Sequence, residues 1–416
     1  TVQTRLRETI SVKDFGAVGN GVANDTTAIQ NALIAAAGKQ LWFPAGTYIY
    51  ASTLTIPTNT YLLGDGPVKT VLKMKPTFAL NTPGLVNANT TQDGSLHDAN
   101  ITFEGITFDG SSIAARTVEM ISMLAVNNLQ FLNSQAINHT YIALASGGCA
   151  NVLVSGSYFG NIGAAGGLST GVWLGNYGTL NSTRCLVTNS QFIGNLGSAC
   201  SMHCNGGTFT NNFCYQNGES VVFGNSTGSN INVTNNYFNY TSRQQISAQA
   251  IELGTQRNVL ISGNYIANCD SDGITVTDTL NAIISNNIVV DCGRDTAYYA
   301  FNGGITILKE AGGNVCQNIQ ISGNRIYDSA ATGKKMDYGI IFSGVTPMEY
   351  ITVENNDFTG VKTAALSILN NNALSSSWYV NRNRRQDGVL VPLPITTLTF
   401  QAPASTGNYV VTTSLD

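Results

Sequence analysis

The sequence is short of charge. Only 11% of its 416 residues are Asp, Glu, Lys or Arg, against about a quarter in ordinary soluble domains. Its net charge is −4, and the only basic knot is Arg382, Arg384 and Arg385. A surface that tracks phosphates needs clustered positive charge, so nucleic acid is not an expected partner. Long apolar runs are also missing. Nowhere do about 18 apolar residues follow one another, the length a membrane-spanning helix needs. The N-terminal Thr-Val-Gln-Thr-Arg-Leu-Arg-Glu lacks an apolar signal core and reads as a piece cut from a longer chain. Histidine occurs three times. Cys200-Ser-Met-His203-Cys204 imitates a metal site, but strand alternation turns Cys200 inward and His203 outward. No metal and no cofactor is expected. The eight cysteines fall largely at apolar strand positions, which suits buried free thiols better than disulfides.

Gly, Asn, Ser and Thr take the place of charge, and they recur in a phrase. Val-Ser-Gly-Ser-Tyr-Phe (154–159), Val-Thr-Asn-Ser-Gln-Phe (187–192), Val-Thr-Asn-Asn-Tyr-Phe (233–238), Ile-Ser-Gly-Asn-Tyr-Ile (261–266) and Val-Glu-Asn-Asn-Asp-Phe (353–358) share one pattern. Its fourth position gives the column Ser157, Ser190, Asn212, Asn236, Asn264, Asn287, Asn324, Asn356, at intervals of 22 to 37 residues. A strand-based repeat of that size cannot bury its apolar face alone and must stack on its neighbours. The expectation is an all-β solenoid.

Residues 11–50 read as strand, Gly-rich turn, helix and strand. Asn24 or Asp25 is the expected cap of a helix with Ala28, Ile29, Ala32, Leu33 and Ala36 on its apolar side, ended by Gly38. Such a helix covers the open end of a stack. The run Val-Lys-Asp-Phe-Gly-Ala-Val-Gly-Asn-Gly-Val-Ala-Asn-Asp-Thr-Thr-Ala-Ile-Gln (12–30), followed by Trp-Phe-Pro-Ala-Gly-Thr-Tyr (42–48), resembles the N-terminal signature of the pectate-lyase-like right-handed parallel β-helix superfamily. The residues before it resemble the junction at which bacteriophage tailspike depolymerases join a virion-binding head. The resemblance implies a right-handed parallel β-helix and a homotrimer on the virion tail. It also implies that the protein binds and cleaves bacterial capsule or O-antigen polysaccharide. The expected organisation is a junction and capping segment (1–50), a β-helix (51–375) and a trimerisation tail of β-like runs (376–416).

A second strand follows each phrase, in the form small–apolar–x–apolar. Alternation turns its third residue outward, giving the column Trp173, Ser201, Val222, Glu252, Thr275, Thr306, Ile341, Ser367. His203 and Thr277 continue that face, and Glu219, Asp270, Asp272 and Asp278 flank it. From the Asn column to the next small residue, plain coils use 8 or 9 residues and four coils use 14 to 17. The plain coil with Asp270 and Asp272 therefore reads as a cleft floor between taller loops. Glu252 and Asp272, on adjacent coils, are the expected catalytic pair, with Glu219 as a further candidate. Glycosidases need one carboxyl to protonate the leaving oxygen and another to activate water or attack the sugar. Trp173, His203, Arg243, Asp270, Thr275, Asp278 and Lys309 are the expected glycan-binding residues, Trp173 as a stacking platform. A polysaccharide lyase would instead use a cation on the uronate carboxylate, with Arg243, Arg257, Lys309 or Lys334 available. A non-catalytic glycan-binding spike is the third reading. Epimerases of the superfamily carry an Asp-Pro-His-Glu motif, which this sequence lacks.

Overall fold

The computed structural model describes residues 9–110, 117–163, 169–224, 228–239, 249–295, 302–310, 316–344, 348–368 and 377–385. The described residues up to 232 form one compact unit, and those from 233 onward form another. Each unit is a parallel β-helix of three sheets. In the first, one sheet (sheet A) runs from Thr9–Ser11 to Cys204–Thr210 and another (sheet B) from Asn20–Asn24 to Phe213–Tyr215. The third (sheet C) runs from Leu54–Ile56 to Glu219–Phe223. In the second unit the corresponding ends are Arg257–Ser262 to Tyr379–Asn381, Tyr237–Asn239 to Arg384–Arg385, and Ile251–Gly254 to Ala364–Ile368. Strands pair in parallel with their equivalents one coil away. The strand pattern thus continues past residue 375. The β-like runs expected after 385 lie outside the described residues.

The recurring phrase is the corner between sheets A and B. Its third residue adopts the left-handed backbone, with φ of 61° at Gly156, 56° at Asn235, 69° at Gly263 and 56° at Asn286. Gly and Asn are the residues that reach this region at least cost. The turn points the fourth side chain into the core, where it bonds the next coil. In the second unit the Asn264, Asn287 and Asn324 amides donate to the Oδ1 of Asn287, Asn324 and Asn356, each at 3.0 Å. The same Oδ1 atoms accept a second bond from the side-chain Nδ2 of the preceding Asn at 2.9 Å. The other Nδ2 proton of Asn287 goes to the Ile261 carbonyl at 3.0 Å. In the first unit Ser134, Ser157 and Ser190 carry the same device, which reaches Asn212 Oδ1 at 3.0 Å. Beside it Phe103, Phe131, Phe159, Phe192 and Phe209 form a stack with ring centroids 5.1 to 6.2 Å apart.

The N-terminal end is closed as its sequence suggests, with one change of detail. The helix Thr26–Ala35 buries Ile29, Ala32 and Leu33. Gln30 lies against the first strand of sheet C, Leu54–Ile56. Its Nε2 donates to the Thr55 carbonyl (3.1 Å) and its Oε1 accepts the Thr55 amide (2.9 Å), so one side chain stands in for a missing neighbour strand. Asp25 precedes the helix but makes no side-chain cap bond. Its carboxylate instead accepts the amides of Val18 (2.6 Å) and Gly19 (3.1 Å), fixing the Gly-rich turn. Asn24 Oδ1 takes the Thr26 amide at 3.3 Å. All eight cysteines are buried and free, and burial pushes the Cys149 thiol up to about 11.

The ladder makes a stability prediction. Asn287→Ala leaves the buried Asn264 amide without its acceptor and the Ile261 carbonyl without its donor, so it should cost about 2–4 kcal/mol. Ile283→Thr, on the exposed face of the same coil, should stay within about 0.5 kcal/mol. Urea unfolding of the two variants checks the contrast. Equal effects would remove the ladder from its supporting role.

Candidate functional site

The outward columns of sheet C are in register within each unit. In the second, Glu252 pairs with Thr275, Thr275 with Thr306, Thr306 with Ile341 and Ile341 with Ser367. In the first, Trp173 pairs with Ser201 and Ser201 with Val222. Exposure does not follow the column evenly. Glu252 is half-buried, while Thr275 is 5% exposed and Thr306 and Ile341 are buried outright. A Cβ on Gly303 would meet the Ile341 side chain at 2.8 Å, so the isoleucine lies down along the sheet.

Asp272 does not stand on a solvated floor. It is 3% exposed, in the turn before the strand Ile274–Thr277. Its Oδ1 accepts the Gly303 amide of the next coil at 2.7 Å and its Oδ2 accepts the Thr275 hydroxyl at 3.3 Å. Burial pushes its pKa up to about 7, against the downward pull of the Gly303 amide and the Thr306 and Thr275 hydroxyls. The register partner of Glu252 is Thr275, three residues beyond Asp272, which sits in the turn before that strand. Thr275 is therefore the group between the two carboxyls: beside Glu252 across the sheet and bonded to Asp272 along its own strand. The turn is buried because small Gly303 opposes it, and an orphan amide there needs an acceptor.

The other acidic residues are engaged by groups on adjacent coils. Asp270 pairs with Arg294 at 2.6 Å, both partly exposed. Asp278 is 3% exposed. It accepts the Glu310 amide at 3.1 Å and faces Lys309 Nζ at 3.3 Å, whose second contact is the Glu310 carbonyl at 2.9 Å. The Asp278–Lys309 pair closes one end of the strand. In the first unit the Ser198 hydroxyl donates to Glu219 Oε2 at 2.7 Å. Trp173 is half-buried and lies flat, because a Cβ on Gly175 would meet its ring at 2.0 Å. The His203 ring sits 6.4 Å from that of Trp173, over Gly224 in the same manner. His203 Nε2 and the Ser201 hydroxyl are 3.0 Å apart, and burial lowers its pKa, favouring neutral imidazole. Cys200, the expected inward residue, is buried. Arg243 and parts of three of the long loops expected to wall a cleft (164–168, 240–248 and 296–301) lie outside the described residues. Motif reading also passes over Gly167-Leu-Ser169-Thr-Gly171, which has the spacing of a nucleophile elbow. An elbow turns from strand into helix, whereas Ser169 is 5% exposed and leads into the strand Thr170–Gly175.

The sequence profile of the rhamnogalacturonase A/epimerase, pectate-lyase-like family matches residues 9–294. The chain belongs to that family. A right-handed β-helix profile matches residues 230–384. Among curated relatives of this pectate-lyase-like chain, the mannuronan C5-epimerase AlgE3 of Azotobacter vinelandii is 36% identical over 106 residues, 23% of this chain and 6% of the relative. The pre-neck appendage protein of Bacillus phage phi29 is 26% identical over 174 residues, 40% of this chain and 20% of the relative. The matched stretches are thus small parts of both relatives. Among solved structures, the A-module of A. vinelandii mannuronan C-5 epimerase AlgE6 has a TM-score of 0.68 at 20% identity, covering 90% of this chain and 99% of that one. The catalytic unit of a Streptomyces thermodiastaticus GH87 α-1,3-glucanase has a TM-score of 0.59 at 14% identity, covering 92% and 70%. The fold is thus that of polysaccharide-modifying enzymes, and phage appendage proteins are among the relatives.

Two predictions arise from the buried acids. The folded-state pKa of Asp272 lies above the usual carboxylate value, so the folded chain holds a proton that the unfolded chain releases between about pH 4 and pH 7. Its contribution is full below that window and declines across it, by at most about 1.4 kcal/mol per pH unit. Asp272→Asn should flatten the slope in denaturant titrations taken at several pH values, and an unchanged slope would assign it elsewhere. Lys309→Met strands the buried Asp278 carboxylate and should cost about 3–5 kcal/mol at neutral pH. The double variant Lys309→Met/Asp278→Leu should recover most of that loss, as thermal melting would reveal.

Proposed function

We propose that this chain is the β-helix of a virion-borne polysaccharide depolymerase that hydrolyses bacterial capsule or O-antigen glycan. One observation carries the reading: a buried acid, Asp272, retains its proton near neutral pH and is bonded to the hydroxyl beside Glu252. A carboxyl that keeps its proton near pH 7 suits a general acid, and an accessible carboxylate suits a base. In this scheme Glu252 takes a proton from a water that attacks the anomeric carbon as the glycosidic C–O bond breaks. The leaving oxygen takes its proton from the Thr275 hydroxyl, which is resupplied by Asp272. Glu252 touches the substrate directly, and the Asp272 proton reaches it only through the Thr275 hydroxyl, which is 5% exposed and must turn from donor on Asp272 to acceptor from it. In the first unit, Trp173 with His203 and Glu219 with Ser198 supply a stacking face and a polar edge for glycan.

The phage appendage relative supports the virion setting, and a homotrimer on the tail fits it. A second reading, β-elimination or epimerisation of a uronate polymer, is favoured by the mannuronan epimerase relative. Against it stand the absent Asp-Pro-His-Glu motif and the engagement of Lys309 by Asp278.

Glu252→Gln should lower depolymerisation of host surface polysaccharide by about 10²–10⁴-fold, read as polymer size by gel filtration, while glycan binding persists. The wild-type rate should fall as pH rises through about 7 and Asp272 loses its proton, and Asp272→Asn should abolish that limb. Digestion in heavy-oxygen water should label the new reducing ends. Unsaturated, ultraviolet-absorbing ends would select elimination, and undiminished rates in both variants would dismiss this site.

A further inference from the structure

The outer face of sheet A in the second unit carries a groove of about 610 Å³, within the roughly 300–1,000 Å³ typical of ligand sites. It lies on the strands Arg257–Ser262, Leu280–Ser285, Gln317–Ser322 and Glu349–Glu354, whereas Glu252, Asp272 and Thr275 belong to sheet C. Its edge is an exposed amide ladder. Asn281 Nδ2 donates to Asn258 Oδ1 and Asn318 Nδ2 donates to Asn281 Oδ1, each at 3.0 Å. All three have left-handed backbones, with φ of 54°, 59° and 55°, which project the amides from the turn. The floor is a register row in which Leu260 pairs with Ile283 and Ile283 with Gln320. Ile283 is 45% exposed, and Tyr350, at the end of the groove, is 58% exposed. None of the residues lining the groove is charged.

We propose that this groove binds a neutral glycan chain running along the coil axis, whether or not the chain also cleaves glycan through Glu252. The lining chemistry selects the ligand. A primary amide has two donors and two acceptor lone pairs. Asn281 uses one donor and at least one lone pair on its neighbours and keeps a further donor for solvent, the pairing a sugar hydroxyl seeks. The ladder repeats at the coil spacing of about 4.8 Å, comparable to the advance of one sugar along an extended glycan. Ile283 and Tyr350 offer apolar surface to the C–H faces of pyranose rings. The lining brings no cation to neutralise a uronate or phosphate. A peptide adding as a strand would need a free sheet edge, and this is a sheet face with its backbone already paired. Exposed apolar area at Ile283 and Tyr350 alone falls well short of the roughly 800 Å² per partner of a stable protein interface.

Saturation-transfer NMR on the full chain tests this, with pooled short neutral gluco-, galacto- and manno-oligosaccharides as probes and oligomannuronate as the charged comparator. Signal should transfer to at least one neutral oligosaccharide, and its affinity should drop at least tenfold in Asn281→Leu and in Tyr350→Ala. Tyr350 is exposed, so its variant keeps the test open if the other fails to fold. Both substitutions lie on sheet A, so the loss they cause assigns binding to this face and not to the sheet C residues of the cleavage reading. The proposal is overturned if no neutral probe receives signal, if both variants bind as wild type, or if oligomannuronate binds more tightly. It is equally overturned if the chain self-associates through this face and Ile283→Glu disperses it.

Discussion

A solenoid has no distant contacts to correct a local error, so each coil must fix the next, and in this chain an inward-turned amide does so. An Asn side chain offers two donors and two lone pairs. Asn287 fills all four inside a dry core: two bonds to Asn324 and Ile261 from its nitrogen, two from Asn264 to its oxygen. A slip of one residue would bury several amides without partners, at about 1–3 kcal/mol each. It would also move every apolar side chain to the wrong face. Serine performs the same task with one oxygen in the coils of Ser157 and Ser190, where Phe159 and Phe192 stack at 5.1 Å.

Fixed register makes the outer surface chemically addressable. Side chains at one position of successive coils become lateral neighbours, so residues far apart in sequence form rows. Glycines then decide how the row is used. Gly175 and Gly224 let the Trp173 and His203 rings lie flat, and Gly303 lets Ile341 do the same. Flat aromatic rings offer a face to a sugar, whereas upright ones offer an edge. The same absence of a side chain at Gly303 lets its amide reach Asp272 and draws that carboxyl out of water.

Much of the fold was legible because period, turn chemistry and burial all point one way. The Gly or Asn before each ladder residue, the alternation of Ile274–Thr277 and the small residue opening each sheet C strand are local signals, and local signals repeat. The candidate site was less legible. Alternation placed Thr275 and Thr306 outward, and register sets them in one column with Glu252, yet both are buried. Asp272 read as a catalytic carboxyl on an open cleft floor, and it is 3% exposed instead. What reversed that is an amide 31 residues away in sequence. Asp25 looked like a helix cap and instead ties the Gly-rich turn, because Val18 and Gly19 present two amides to it.

By itself the sequence determined the coil: its strand lengths, its left-handed corners and the ladder that stacks it, because these depend on residues a few positions apart and on a period the chain writes repeatedly. Only the tertiary structure decided the protonation of Asp272, the Asp278–Lys309 and Asp270–Arg294 pairs, and which outward side chains stay open to a ligand. Those properties depend on desolvation and on partners a whole coil away, and coil length varies from one turn to the next.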